Sequence, residues 1–250
     1  MIDSDASIAT QHSGWSWRRL VWYSAIVVVV DIAAQVVALI PVVATAMTRP
    51  HFDVKAWANR AGSDGFILSL ATCAAASVCV PVLRILTGRR EARPWEFLGF
   101  RCCPPRDVVF SCVVMAVFIA AWDWASAALG QPAAKFMVEA YASARFPTLL
   151  FVTLVVAAPI LEELFFRGFL FGGLLSCGAP LWVTVAVVSV AFAALHIQYD
   201  AFDIASVLLS GLLFVAARVK FDSIVPCVAM HSFANAVGFV EVAFLNRSSA

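Results

Sequence analysis

Long apolar runs separated by short polar breaks dominate the chain. Seven windows, 20–47, 65–87, 108–129, 147–175, 180–198, 202–219 and 223–245, are mostly apolar. Each approaches or exceeds the roughly 20 residues a helix needs to cross a bilayer, and each predicts a membrane-spanning helix. The fourth is long enough for a tilted helix plus an interfacial turn. Pro41, Pro81, Pro159 and Pro226 fall inside or beside these windows, which is tolerable where neighbouring helices cover the freed backbone carbonyls. Between the second and third windows, Gly88 to Arg106 carries Arg89, Arg90, Arg93, Arg101 and Arg106 together with Trp95, Phe97 and Phe100. That mixture predicts a cytoplasmic loop containing an interfacial amphipathic piece. No internal repeat or low-complexity tract interrupts the chain. The predicted fold is all-α, a polytopic transmembrane bundle of about seven to eight spans. It is one continuous helical unit, divided for description into 1–106 (N-terminal spans and the amphipathic loop) and 107–250 (the membrane domain that holds the chemistry).

Composition agrees with the pattern. The 250 residues are 62% hydrophobic and 13% charged, whereas a soluble domain is about half apolar and about a quarter charged. With so little charge to face water, the chain is expected to take the bilayer as its solvent and partner. The net charge of +1 and the lack of a basic run with interleaved aromatics exclude a nucleic-acid partner. The seven cysteines form no C-x-x-C pair and mostly lie in apolar stretches, as small buried hydrophobes do. The polar start, with Asp3 and Asp5 before Arg18-Arg19, leads into an apolar run longer than a signal-peptide core. An uncleaved first span is therefore expected despite the small triplet Ala44-Thr45-Ala46. Placing the arginine-rich loop inside puts Arg18-Arg19 and the Arg218/Lys220 segment inside too. The N-terminus is then cytoplasmic, and the short loops suggest a prokaryotic plasma membrane.

Ionisable groups inside apolar windows carry the functional signal, because each costs at least about 2.5–3.5 kcal/mol at bilayer depth. Glu162, Glu163 and Arg167 lie within six residues of the fourth window. Glu163 and Arg167 are four apart on one face in the favourable acid-first order, so they can neutralise each other. Glu162, rotated about 100° from Glu163, must face something else, and two adjacent glutamates thus have two jobs. Two of the four histidines, His196 and His231, also fall in apolar windows, and Asn235 shares a face with His231. If they converge with Glu162, two chemistries are open. Glu162 can take a proton from water while His231 and Asn235 donate to an oxyanion. Alternatively, Glu162, His196 and His231 can hold a divalent metal such as Zn²⁺ with a position left for water.

These residues resemble the CAAX-protease/bacteriocin-processing (CPBP, or Abi) family of intramembrane proteases, which includes the Ras-converting CAAX endopeptidases. Glu162-Glu163-x-x-x-Arg167, Phe192-x-x-x-His196 and His231-x-x-x-Asn235 match its three motifs in order, across about 155–240, and Trp95-x-x-x-Gly99 matches a stretch that often precedes the domain. The resemblance implies an all-helical membrane fold, a cavity opening toward the cytoplasm, and endoproteolysis of a prenylated (CAAX-type) or other membrane-associated protein or peptide without an acyl-enzyme. It implies Glu162 as water activator, His196, His231 and Asn235 as positioning groups, and Glu163 and Arg167 as support. Two other classes stay open, a non-catalytic immunity or scaffold protein of the same family and a proton-coupled transporter. Along straight helices rising about 1.5 Å per residue, His196 and His231 fall at different depths, so convergence requires a tilted, broken or differently bounded span. Asp31 with Gln35, and Asp123 between Trp122 and Trp124, are expected to make interhelical hydrogen bonds or an interfacial belt, with the lining of a water-filled route or of the site as the alternative. Gly168-x-x-x-Gly172 predicts close packing, and Asp200 and Asp203 a solvated turn.

Overall fold

A computed structural model describes residues 14–248, all helix and connecting turns; the polar start with Asp3 and Asp5 lies outside them. The helices are α1 (Trp17–Met47), α2 (Val54–Ala61), α3 (Gly65–Gly88), α4 (Pro94–Phe97), α5 (Pro105–Ala128), α6 (Lys135–Ala142), α7 (Pro147–Ser176), α8 (Leu181–Ala194), α9 (Ala201–Phe221) and α10 (Val225–Ser248). Six of them (α1, α3, α5, α7, α9 and α10) are long and apolar enough to cross a membrane. Their outer surfaces remain apolar, with Val29, Val36 and Val117 all more than half exposed.

The window 180–198 departs from expectation. Its helix, α8, is only 14 residues long and stops at Ala194. The cause is local. The His196 ring Nδ1 lies 2.9 Å from the Phe192 carbonyl while its backbone N–H turns back to Ala193. An imidazole N–H thus takes an acceptor that a continuing helix would have used. His196 therefore sits in the turn just past a short helix, and the Phe192 ring lies between it (4.8 Å) and His231 (5.8 Å).

Helix α7 is one 30-residue run with two widened, π-helical stretches, Thr153–Ala157 and Leu164–Leu170. Pro159 accounts for the first, since it lacks an N–H and its ring would strike the Val155 carbonyl in a regular helix. Widening the preceding turn relieves that contact. Side chains of neighbouring helices accept the burden of the displaced carbonyls: Asn235 Nδ2 donates to Leu154 (2.7 Å) and Arg218 Nε donates to Arg167 (3.1 Å).

The loop between α3 and α5 also departs from its expected interfacial position. Trp95 and Phe100 are partly exposed, but Phe97 and Leu98 are buried in the bundle, and Trp15 stacks on Phe97 at 5.0 Å. A Cβ on Gly168 would lie 2.7 Å from the Leu98 carbonyl, and one on Gly172 about 3.1 Å from the Phe97 ring. The Gly168/Gly172 pair therefore does serve close packing, but against this loop. The loop is tied to the α9–α10 turn by Ile224 N–H to the Gly99 carbonyl (2.9 Å), by Ser223 Oγ to the Arg101 carbonyl (2.8 Å), and by the Arg101–Asp222 ion pair. One end of the bundle is closed as a result.

Asp31 and Gln35 hydrogen-bond to each other along α1 (2.6 Å) rather than between helices. Asp200 caps α9 through the Phe202 and Asp203 N–H groups, while Asp203 itself is half-buried. No cysteine among the described residues is in a disulfide, and Cys79 and Cys227 are fully buried.

Candidate active site

The two adjacent glutamates of α7 do separate. Glu163 and Arg167 are both 0% exposed, with Arg167 Nη1 donating to Glu163 Oε1 at 3.0 Å. The guanidinium also gives Nη2 to the Gly211 carbonyl (3.1 Å), and its carbon lies 4.3 Å from the Phe192 ring centre and 5.1 Å from that of Phe214. Aromatic faces and a carboxylate thus replace water around a buried cation. Gly211 is part of that fit, because a Cβ there would meet Arg167 Nη2 at 3.3 Å and the Phe192 ring at 3.2 Å.

The same Glu163 Oε1 lies 2.9 Å from His231 Nδ1. A carboxylate only accepts, so Nδ1 carries the proton, and in the neutral ring Nε2 then presents a lone pair. That nitrogen lies 3.9 Å from Glu162 Oε2. The Glu162 side chain is 30% exposed, yet its Oε2 has no hydrogen-bond partner among the described residues. The Phe214 ring stacks on His231 at 5.1 Å and the Phe192 ring meets it edge-on at 5.8 Å, fixing the imidazole plane.

A cavity of about 340 Å³ is lined by Glu162, His196, His231 and Asn235, so the four residues picked from the sequence do meet a common space. They are not all bonded to one another. His196 reaches the others across the Phe192 ring (4.8 Å) while holding the carbonyl of its own helix. Asn235 has committed one amide hydrogen to Leu154, leaving the second for the cavity.

Tyr199 was not apparent from the sequence. It lines the cavity, stacks on His196 at 6.0 Å with an 8° tilt, and meets Phe136 of α6 at 5.6 Å. Burial pushes its phenol up, with Asp203 and Glu162 adding to the effect, so it stays an O–H donor. Its position three residues after His196 carries meaning only once α8 is known to end at Ala194. Asp123 also lines this cavity, the alternative to an interhelical bond, and Asp203 lines it in place of a solvated turn.

Both imidazoles direct Nδ1 to an oxygen and leave Nε2 as a donor atom, an arrangement common around metal-bound histidines. The geometry does not follow the chemistry, however: among the described residues no three His, Cys, Asp or Glu side chains gather as a ligand set. Glu162, His196 and His231 therefore do not fit a three-ligand metal centre as they stand.

Comparison with known proteins places residues 144–237 in a match to the family described as Rce1-like, type II CAAX prenyl endopeptidase. The chain is also 30% identical over 118 residues to an uncharacterized 24.3 kDa protein of Escherichia coli. That alignment covers 45% of this chain and 54% of the relative, so the chain spans about half the length of the curated relative it matches. No solved structure matches.

Proposed function

Starting from an Rce1-like, type II CAAX prenyl endopeptidase domain at residues 144–237, we propose that the protein is an intramembrane endopeptidase whose nucleophile is a water activated by Glu162. The observation that carries this reading is the facing pair Glu162 Oε2 and His231 Nε2, 3.9 Å apart in a cavity wall. Water bound between a carboxylate and an imidazole lone pair loses its proton to Glu162 as it attacks a substrate carbonyl. The second amide hydrogen of Asn235 and the Tyr199 hydroxyl are the donors for the resulting oxyanion. Proton return from Glu162 to the departing amine completes hydrolysis with no covalent enzyme intermediate.

His231 is held in the required tautomer by Glu163, and Glu163 is held by Arg167. These are positioning roles, exerted through His231. His196 lines the same cavity and can take a hydrogen bond from water or substrate through Nε2. A peptide or a membrane-protein segment is the substrate class, and a prenylated C-terminus is one member of it. Non-catalytic service as an immunity or scaffold protein has no need of a carboxylate left without a partner next to a histidine of fixed tautomer.

The test is cleavage by purified protein. Glu162→Gln is expected to lower hydrolysis of a membrane-peptide substrate by the 10²–10⁴-fold typical of a lost general base, while inserting and purifying normally. Turnover equal to the wild type in that variant removes the assignment.

A further inference from the structure

A second cavity, of about 1080 Å³, lies at the end of the bundle where α1 finishes and α3 begins. It shares no lining residue with the cavity of Glu162. Helix α6 contributes to both, giving Phe136 and Met137 to the first and Glu139 and Ala142 to the second. The frame of the second cavity is fixed by close backbone contact. A Cβ on Gly65, the first residue of α3, would lie 2.0 Å from the Ala140 carbonyl oxygen. The Gly65 N–H donates to Ser143 Oγ (3.0 Å), and that hydroxyl donates to the Glu139 carbonyl (2.7 Å).

Three arginines line this cavity: Arg49 just past α1, Arg60 on α2, and Arg145 between α6 and α7. None of them has a carboxylate partner among the described residues. The two acids of the lining are engaged elsewhere. Asp64 caps α3 through the Phe66 and Ile67 N–H groups (both 2.9 Å), and Glu139 pairs with Lys135 (3.6 Å). Arg60 donates Nε to the Ala56 carbonyl (3.2 Å), which leaves its two terminal NH₂ groups. The Arg145 guanidinium lies 5.4 Å from the centre of the Phe146 ring, a contact that leaves its N–H edge open. Arginines scattered over a helix end need only water. These three border one cavity whose carboxylates are already taken, so an anion is the missing partner.

Much of the remaining wall is apolar, with Val42 and Ala46 from α1 and Phe66 and Ile67 from α3. Both helices are long and apolar enough to span a membrane, so their adjoining ends lie where hydrocarbon gives way to headgroups. Pro41, also in the lining, follows Val37 by one turn on the same stripe of α1, and Val37 is exposed. An apolar track thus leads from the cavity along the span. We propose that this cavity binds the phosphate of an anionic phospholipid. Arg49, Arg60 and Arg145 take the phosphate oxygens, for which guanidinium forks are suited, and an acyl chain runs along α1 past Pro41 and Val37. A soluble phosphate offers the same oxygens but nothing for the apolar wall.

Melting of the purified full chain in neutral detergent reads binding, because a ligand held by the folded state raises the melting temperature. Phosphatidylglycerol, phosphatidylcholine and inorganic phosphate are the three probes. Phosphatidylglycerol is expected to raise the wild-type melting temperature by about 5 °C at saturation, and the other two to give no comparable rise. In Arg49→Gln/Arg60→Gln/Arg145→Gln the rise is expected to vanish. All three arginines are exposed, so this variant should melt with the wild type when no lipid is added. Arg18→Gln/Arg89→Gln/Arg106→Gln removes equal charge from exposed positions at the other ends of α1 and α3 and the start of α5, and is expected to keep the rise. The proposal is overturned by an absent rise in the wild type, by an equal rise with phosphatidylcholine, or by a rise with inorganic phosphate alone. It is also overturned if the first variant keeps the rise or the second loses it.

Discussion

Glu163 and His231, 68 positions apart in sequence, share a 2.9 Å hydrogen bond in the interior of the bundle. The carboxylate oxygen involved also receives Arg167, so one buried atom couples the orientation of the histidine to the charge balance of α7. Breaking the ion pair and disturbing the histidine should therefore be separable by the choice of substitution.

Arg167→Met leaves Glu163 as an uncompensated buried charge. Loss of one partner from such a pair costs about 3–5 kcal/mol, and a marked fall in melting temperature in detergent is expected. The double variant Arg167→Met/Glu163→Gln should recover a large part of that loss, because no charge is then stranded. Equal melting temperatures for wild type and Arg167→Met would show that Glu163 is not relying on the arginine.

Glu163→Gln should separate position from chemistry. An amide can still accept from His231 Nδ1, but it can also turn its NH₂ toward the ring and admit the other tautomer. kcat should fall while KM changes little. An unchanged kcat with a lowered melting temperature would mean that Glu163 merely supports packing.

Tyr199 supplies an alkaline signature. Its folded phenol titrates well above the ordinary value of 10.0, with burial the main cause, whereas in the unfolded chain it ionises near 10. Above that pH the unfolded state sheds a proton that the folded state keeps, so this group's contribution to stability is present below pH 10 and declines as pH rises beyond it. Tyr199→Phe is expected to flatten that decline in a melting series across pH 9–11. If the hydroxyl is an oxyanion donor, the same change lowers kcat by about 10²–10³-fold at neutral pH.

Chelation separates the two chemistries that the sequence left open. Since Glu162, His196 and His231 form no ligand set, hydrolysis is expected to persist after treatment with a strong divalent-metal chelator and removal of bound metal. Activity abolished by chelation and restored by Zn²⁺ would replace the water-activation scheme described above.

Much of this arrangement was legible in the residue order, and the rest was hidden for identifiable reasons. The Glu163/Arg167 pair follows from helical spacing alone, since acid and base four apart must meet in an apolar helix. The windows for α1, α3, α5, α7, α9 and α10 follow from hydropathy. The length of α8 does not, because Leu195 and Ile197 continue the apolar run while the stop comes from the His196 ring capturing the Phe192 carbonyl. Tyr199 and Asp203 were hidden by that same stop, since a span drawn to residue 198 pushes both into solvent. The inward turn of Phe97 and Leu98 was hidden by arginines on either side, which make the loop resemble surface although Gly168 and Gly172 leave room for it.

That loop lies outside residues 144–237, yet it rests directly on the helix bearing Glu162 and holds the turn that starts α10. The matched portion is therefore not a module that can be excised and moved. A fragment trimmed to residues 144–237 would leave the backbone at Gly168 and Gly172 without the Leu98 carbonyl and Phe97 ring that now fill the space beside them.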